Sequence, residues 1–343
     1  MSHKVLQERD CYIDLVRGLC AVSVVFIHSV FWSGSSYVPN YMRNISLFFD
    51  VPVFFFLAGA TINILGGREV KDLAIKQISK LIFYFFALVL SFQILFWNFD
   101  IQRLIQPLVL SRAHVPELRV ISGSYWFVPT YCISILFAQI IYHQYPRIIY
   151  PLFLLGGGYF FSQYFLNFHL KVSVLGQPFQ NILFYVILVL LGYRFYSLKF
   201  KRVVWLLSSI AFGLIFYYLF WKSNVAFSSY SLQKFKFPVQ LPYVCVSLAV
   251  ICLILAFKTR IVASNCLTRL ITFLGRNAIF FYMSQGVSSS LIYKLIPVIN
   301  LNWEFKLIIL FAINCLLAMI IGYIFYYIDN LFSPFVRKLL FRP

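Results

Sequence analysis

Three ionisable side chains stand on one apolar stretch near the start of the chain: Asp14, Arg17 and His28, in RDCYIDLVRGLCAVSVVFIH. Asp14 and Arg17 are i, i+3 neighbours. From Arg17 to His28 a helix makes almost three whole turns, so all three share one face, with a rise of about 16 Å between the arginine and the imidazole. Ionisable groups inside an apolar span are costly and face a cavity or a partner. The alignment therefore points to a buried acid/base group, His28, reached from an end guarded by a cation, Arg17. A second acid, Asp50, opens the next apolar run, FFDVPVFFFLAGA. A carboxylate accepting from one imidazole nitrogen fixes the tautomer and leaves the other nitrogen as general base, which makes Asp50 the expected partner of His28. Plainer accounts stand beside these: Asp14 and Arg17 as an interfacial ion pair, His28 as a neutral histidine bonded between helices, Asp50 as an N-terminal acid before Pro52. Gly18 and Ala21 lie on the stripe between Arg17 and His28, where small side chains admit a slim ligand or a second helix to the backbone.

The elements that must carry these residues follow from composition. Of 343 residues 62% are hydrophobic and 11% charged, with 40 Phe and 23 Tyr. An ordinary soluble domain has roughly 25% charged residues, so a water-soluble fold is excluded. A span needs about 20 mainly apolar residues. Windows of that size fall at 12–32, 48–66, 80–98, 124–142, 148–166, 180–198, 203–221, 239–257, 274–294 and 306–327. The expected fold is an all-α integral membrane bundle of about ten transmembrane helices, a single membrane unit over 1–343 with no separate soluble domain. Ten spans place both termini on one side. Seventeen Lys and Arg, from Lys4 to Arg342, fall on that side against ten on the other, which makes it cytoplasmic. The net charge of +19 is dispersed between the apolar runs, with no basic helix or RNA-type aromatic motif, so no nucleic-acid partner is expected; the bilayer is. The seven cysteines lack the close pairing of a zinc site or disulfide framework, and no metal is expected.

The first-helix residues Arg9, Asp14, Arg17, Gly18 and His28 resemble the signature of the membrane acyltransferase 3 family, whose hallmark is an Arg and a His separated by ten residues. Asp50, Pro52, Phe55 and Gly59 resemble its second-helix pattern, Tyr125-Trp126-Phe127 its fourth-helix aromatic motif, and LGRNAIFFYMSQG, with Gly275, Asn277 and Tyr282, a late-helix motif. Two departures accompany the likeness. Where the family commonly has an Arg pair after the second helix, LAIKQISKL has Lys76 and Lys80, and lysine holds phosphate as a point charge rather than a bidentate fork. Where the late motif usually ends in His, Gln285 stands.

The resemblance implies transfer of an acyl group, usually acetyl from acetyl-CoA, to a sugar hydroxyl of an envelope glycan such as O-antigen or capsule, or its polyprenyl-linked precursor, at the bacterial inner membrane. In that reading Arg17, Lys71, Lys76 and Lys80 hold the donor's phosphates, with Asp14 beside Arg17 in the cofactor-binding site, the pantetheine arm runs along Gly18 and Ala21, and His28 with Asp50 deprotonates the acceptor. Tyr125, Trp126, Asn277 and Tyr282 contact the acceptor or the developing oxyanion. Direct attack and an acyl-histidine intermediate both require His28. A glycan exporter or flippase, and a scaffold subunit of a polysaccharide synthase, are the readings from other classes. The sugar, the hydroxyl position and the oligomeric state are not legible.

Overall fold

The computed structural model describes residues 10–65, 70–111, 115, 118–226, 228–258 and 265–340; of 70–74, 76, 77 and 332–340 only the backbone is described. The described residues are mostly helical. α1 (Cys11–His28) continues into a five-residue π-helical turn, Ser29–Ser33, and is followed by α2 (Asn40–Ser46), α3 (Pro52–Ile64), α4 (Val70–Leu95) and α5 (Ile101–Leu108). Next come α6 (Arg119–Ser124), α7 (Phe127–Gln144) and α8 (Ile149–Phe165), then a short hairpin of β1 (Ser173–Val174) and β2 (Gln177–Pro178). The remaining helices are α9 (Phe179–Phe195), α10 (Arg202–Lys222), α11 (Leu241–Ala256), α12 (Cys266–Arg276), α13 (Ala278–Ile292) and α14 (Trp303–Leu340).

Local sequence explains several boundaries. Pro52 occupies the first turn of α3, where its missing N–H is not needed. Asp100 caps α5 by accepting from the Arg103 N–H at 3.2 Å. Asn265 and Thr268 form a reciprocal capping box at the start of α12.

Among the described residues five helical stretches are long and apolar enough to cross a membrane: Cys11–Ser33, Ile78–Leu95, Arg119–Gln144, Arg202–Lys222 and Trp303–Leu331. The other five expected windows also hold helices, but these are shorter; α3 has 13 residues, α13 15 and α11 16. At 1.5 Å per residue α3 is about 20 Å long, short of the roughly 30 Å hydrocarbon thickness. The sequence window overshot because the largely apolar residues that precede the helix, Phe48 to Val51, read as part of the span. α10 shows the solvent these helices are built for: it is apolar, yet Leu214 is 63% and Trp221 67% exposed. Such a surface suits lipid and not water.

The chain divides into two compact units, each gathered from separated stretches. The first comprises 1–13, 39–114 and 125–262. There α3 packs on α9, α7 and α8 also meet α9, and α10 packs on α11. Two glycines bring α3 and α9 into backbone contact: a Cβ at Gly59 would run into the Val189 carbonyl, and one at Gly192 into the Phe56 carbonyl. The second unit comprises 14–38, 115–124 and 263–343. Its α13 packs on α14, α6 and α12, and the π-helical turn rests on α13 and α14. Again a glycine pair sets the closest crossing. A Cβ at Gly18 of α1 would run into the Ile271 carbonyl of α12, and one at Gly275 into the Asp14 carbonyl.

Candidate active site

The second unit holds His28, Asp14, Arg17, Asn277 and Tyr282. Because Gly18 and Gly275 let α1 and α12 touch backbone to backbone, the stripe at Gly18 is occupied by a helix and not by a ligand arm, which settles one of the two openings the small residues offered. The same crossing sets the charges. Asp14 is buried, and its Oδ2 accepts from the Arg276 Nε at 3.2 Å. Arg276 is the residue after Gly275, so the crossing that seats the glycine also delivers the guanidinium to the acid. The Arg276 side chain keeps 46% of its surface exposed, whereas Asp14 keeps 3%. Arg17, one turn beyond Asp14, is half-buried. Two guanidinium groups therefore stand at the N-terminal end of α1, one of them held through its Nε while nearly half of its side chain stays exposed.

His28 closes α1 at the other end and is half-buried. The π-helical turn begins at the next residue, and such turns inside α-helices recur at functional sites. Asn314 of α14 pins that turn. Its Nδ2 donates to Ser29 Oγ at 2.9 Å and to Ser289 Oγ at 3.0 Å, while Ser288 Oγ donates to Asn314 Oδ1 at 2.6 Å. Ser29 Oγ in turn donates to the Val25 carbonyl at 2.9 Å. Interhelical bonds of this kind contribute about 0.6 to 2 kcal/mol each in a membrane, so the group fixes the chain beside His28 against both α13 and α14. Asn277 sits at the junction of α12 and α13 and donates Nδ2 to the Phe273 carbonyl at 3.0 Å. Tyr282 donates its hydroxyl to the Ser124 carbonyl at 2.8 Å, tying α13 to the end of α6.

The first unit holds Asp50, Lys71, Lys76, Lys80, Tyr125 and Trp126. Asp50 is buried just before α3, in the position of a helix N-terminal acid, and its Oδ2 has two partners of its own unit. Lys236 forms an ion pair with it, and the Tyr243 hydroxyl donates to it at 2.7 Å. Lys236 is itself buried, with Nζ 5.4 Å from the ring centres of Trp126 and Phe237. Trp126 packs edge-on against Phe237 at 4.7 Å. The carboxylate and the aromatic faces together offset the burial of this side chain. Where an imidazole was expected against Asp50, the structure places an ammonium and a phenol. Tyr125 is buried against Phe85 with its ring centre 5.1 Å away. Lys80 is half-buried, with Nζ 5.3 Å from the Tyr84 ring. The side chains of Lys71 and Lys76 lie outside the described residues.

Sequence reasoning missed Arg276, Asn314, Lys236 and Tyr243. Arg276 carried a signal, since it stands inside the late motif between Gly275 and Asn277. Asn314 is neutral, and its spacing to the ionisable residues carries no local signal. Lys236 and Tyr243 meet Asp50 across about 190 residues of chain, which no local spacing reveals.

A family model described as an acyltransferase domain matches residues 11–327, nearly the whole chain. Neither the curated proteins nor the solved structures searched include a significant match. The match runs through the α1 crossing with α12, His28 and its pinned turn, and the Asp50 cluster, and it shows that the chain belongs to the membrane acyltransferase 3 family.

Proposed function

We propose that this membrane acyltransferase moves an acetyl group from cytoplasmic acetyl-CoA to a sugar hydroxyl of a bacterial surface polysaccharide, O-antigen or capsule, or of its polyprenyl-linked precursor. The observation that carries the reading is the polarity of α1: guanidinium groups of Arg17 and Arg276 at one end, a half-buried imidazole at the other, joined by a helix about 16 Å long between Arg17 and His28. Anionic phosphates suit the first end and a proton transfer suits the second.

The fit to coenzyme A is uneven. Arg17 and the part-exposed Arg276 supply the planar donors that Lys76 and Lys80 lack, and they take over the phosphate role. The arm cannot lie on Gly18, because α12 fills that face. The thioester brings an activated acyl carbon. In this reading His28 removes the proton of the attacking hydroxyl and later returns it to the departing thiolate, so no net proton is lost. The Asn314 network acts as a positioning element for His28. The Asp50–Lys236–Tyr243 cluster anchors the chain before α3 to the segment after α10.

In the same proposal the chain crosses the inner membrane about ten times with both termini cytoplasmic, the shorter helices completing the bundle. The test is transfer of labelled acetyl from acetyl-CoA to glycan in host membranes containing wild type or His28→Ala at equal abundance. Label in glycan that depends on His28 supports the reading; export of glycan with no acetyl transfer sinks it in favour of a transporter.

A further inference from the structure

Gln285 of α13 is 1% exposed, and neither its Nε2 nor its Oε1 has a hydrogen-bond partner among the described residues. Its neighbours on the helix are not in that state. Ser284, Ser288, Ser289 and Ser290 are also buried and each is bonded. A buried primary amide with both ends unanswered calls for a partner that supplies a donor and an acceptor side by side.

The helix geometry says where that partner lies. Ser288 and Ser289 flank Gln285 on the helical wheel, at i+3 and i+4, and both face Asn314, which reaches Ser29. Gln285 therefore faces the same way. Depth follows from two fixed points: Gly275 meets Asp14 and Gly18, and the Ser288–Ser289 turn meets Ser29 through Asn314, so the α12–α13 stretch climbs in the same direction as α1. One turn before Ser289, Gln285 stands at the level of the α1 turn that ends in His28. Side chains of a helix lean toward its N-terminus, which brings the imidazole toward that level as well.

We propose that Gln285 binds the acceptor sugar, its Oε1 and Nε2 pairing with two neighbouring ring hydroxyls, one of them the hydroxyl that His28 deprotonates. A vicinal pair offers one donor and one acceptor together and answers both ends of the amide. A thioester carbonyl only accepts, and a lone hydroxyl, though both donor and acceptor, cannot meet Oε1 and Nε2 together in good geometry. No bond to Gln285 is made or broken. The assignment rests on the acyl-transfer reading above, and it makes the transferase selective for acceptors carrying a vicinal diol.

The experiment uses the full-length protein. Transfer of radiolabelled acetyl from acetyl-CoA into glycan is measured in host membranes bearing wild type, Gln285→Leu or Gln285→Met. Labelled coenzyme A binding and thermal unfolding are measured on the same proteins in nanodiscs. The expected result is transfer lowered about tenfold or more in both variants, coenzyme A binding within about twofold of wild type, and unfolding at or above the wild-type temperature, since an apolar side chain replaces an unanswered amide. Wild-type transfer rates in folded variants would overturn the proposal and leave the amide to ordered water. A parallel loss of coenzyme A binding would move Gln285 to the donor site, and failure of both variants to fold would make it structural; either result overturns the acceptor assignment. Absence of transfer even by wild type would defeat the functional reading itself and this assignment with it.

Discussion

Substituting Gly18 with alanine separates two opposed effects whose sizes the structure fixes. In a helix interior the change from glycine to alanine is favourable by about 1 kcal/mol. At Gly18 the new methyl would lie on the Ile271 carbonyl, and at Gly275 on the Asp14 carbonyl. Both obstacles are main chain, so the helices must separate, and overpacking costs about 1 to 3 kcal/mol or more when nothing flexible yields. With the cost at the upper end, each variant loses about 2 kcal/mol net. Gly157 and Gly158 of α8 are the controls. A Cβ there meets nothing within 4 Å, so alanine stabilises by up to about 1 kcal/mol. The assay is equilibrium unfolding of the purified protein in mixed micelles, read by tryptophan fluorescence. A difference of about 3 kcal/mol between the Gly18 and Gly157 variants is expected. Equal stability of the two would refute backbone contact between α1 and α12, and with it the placement of Arg276 beside Asp14.

Other variants test the remaining contacts. Asp50→Leu or Lys236→Met alone strands the partner's buried charge and is expected to cost about 3 to 5 kcal/mol, whereas the two combined recover most of that loss, retaining about 1 to 3 kcal/mol for the Tyr243 hydroxyl left without its acceptor; a double-mutant cycle of these variants in micelles measures both. Arg276→Gln is expected to raise the KM for acetyl-CoA about tenfold with little change in kcat, the signature of a lost donor-phosphate contact, as steady-state kinetics in nanodiscs would show. Asn314→Ala removes bonds to Ser29, Ser288 and Ser289; at about 0.6 to 2 kcal/mol each, unfolding is expected to show a loss of about 2 to 6 kcal/mol, and kcat is expected to fall while the KM for acetyl-CoA holds.

The residues that were legible in the sequence are those whose meaning is local. Asp14, Arg17, Gly18 and His28 lie on one continuous helix, and their spacing alone aligned them. Gly18 was read as a place where a ligand or a helix approaches, and only the long-range partner Gly275 decides between the two. Asp50 illustrates the opposite case. Its position before Pro52 announced a helix start, but a carboxylate's partner is set by tertiary contact, and the buried ammonium of Lys236 arrives from a loop between α10 and α11. Span counting suffered for a related reason. Hydropathy marks apolar residues whether or not they continue the helix, so α3 read longer than its 13 residues. Gln285 carried only half its message in the sequence: it was visible as an amide in the late motif, and its unanswered burial is a property of packing.

The most direct test of the account is mass spectrometry of the host's surface glycan from cells carrying wild type, His28→Ala at equal membrane abundance, or no protein. An acetyl-ester mass increment that appears with wild type alone is the result the account predicts, because a lost general base costs about 100- to 10,000-fold. An increment undiminished in His28→Ala would contradict the role of His28. Loss of the polymer from the surface with no acetyl difference would contradict acyl transfer altogether.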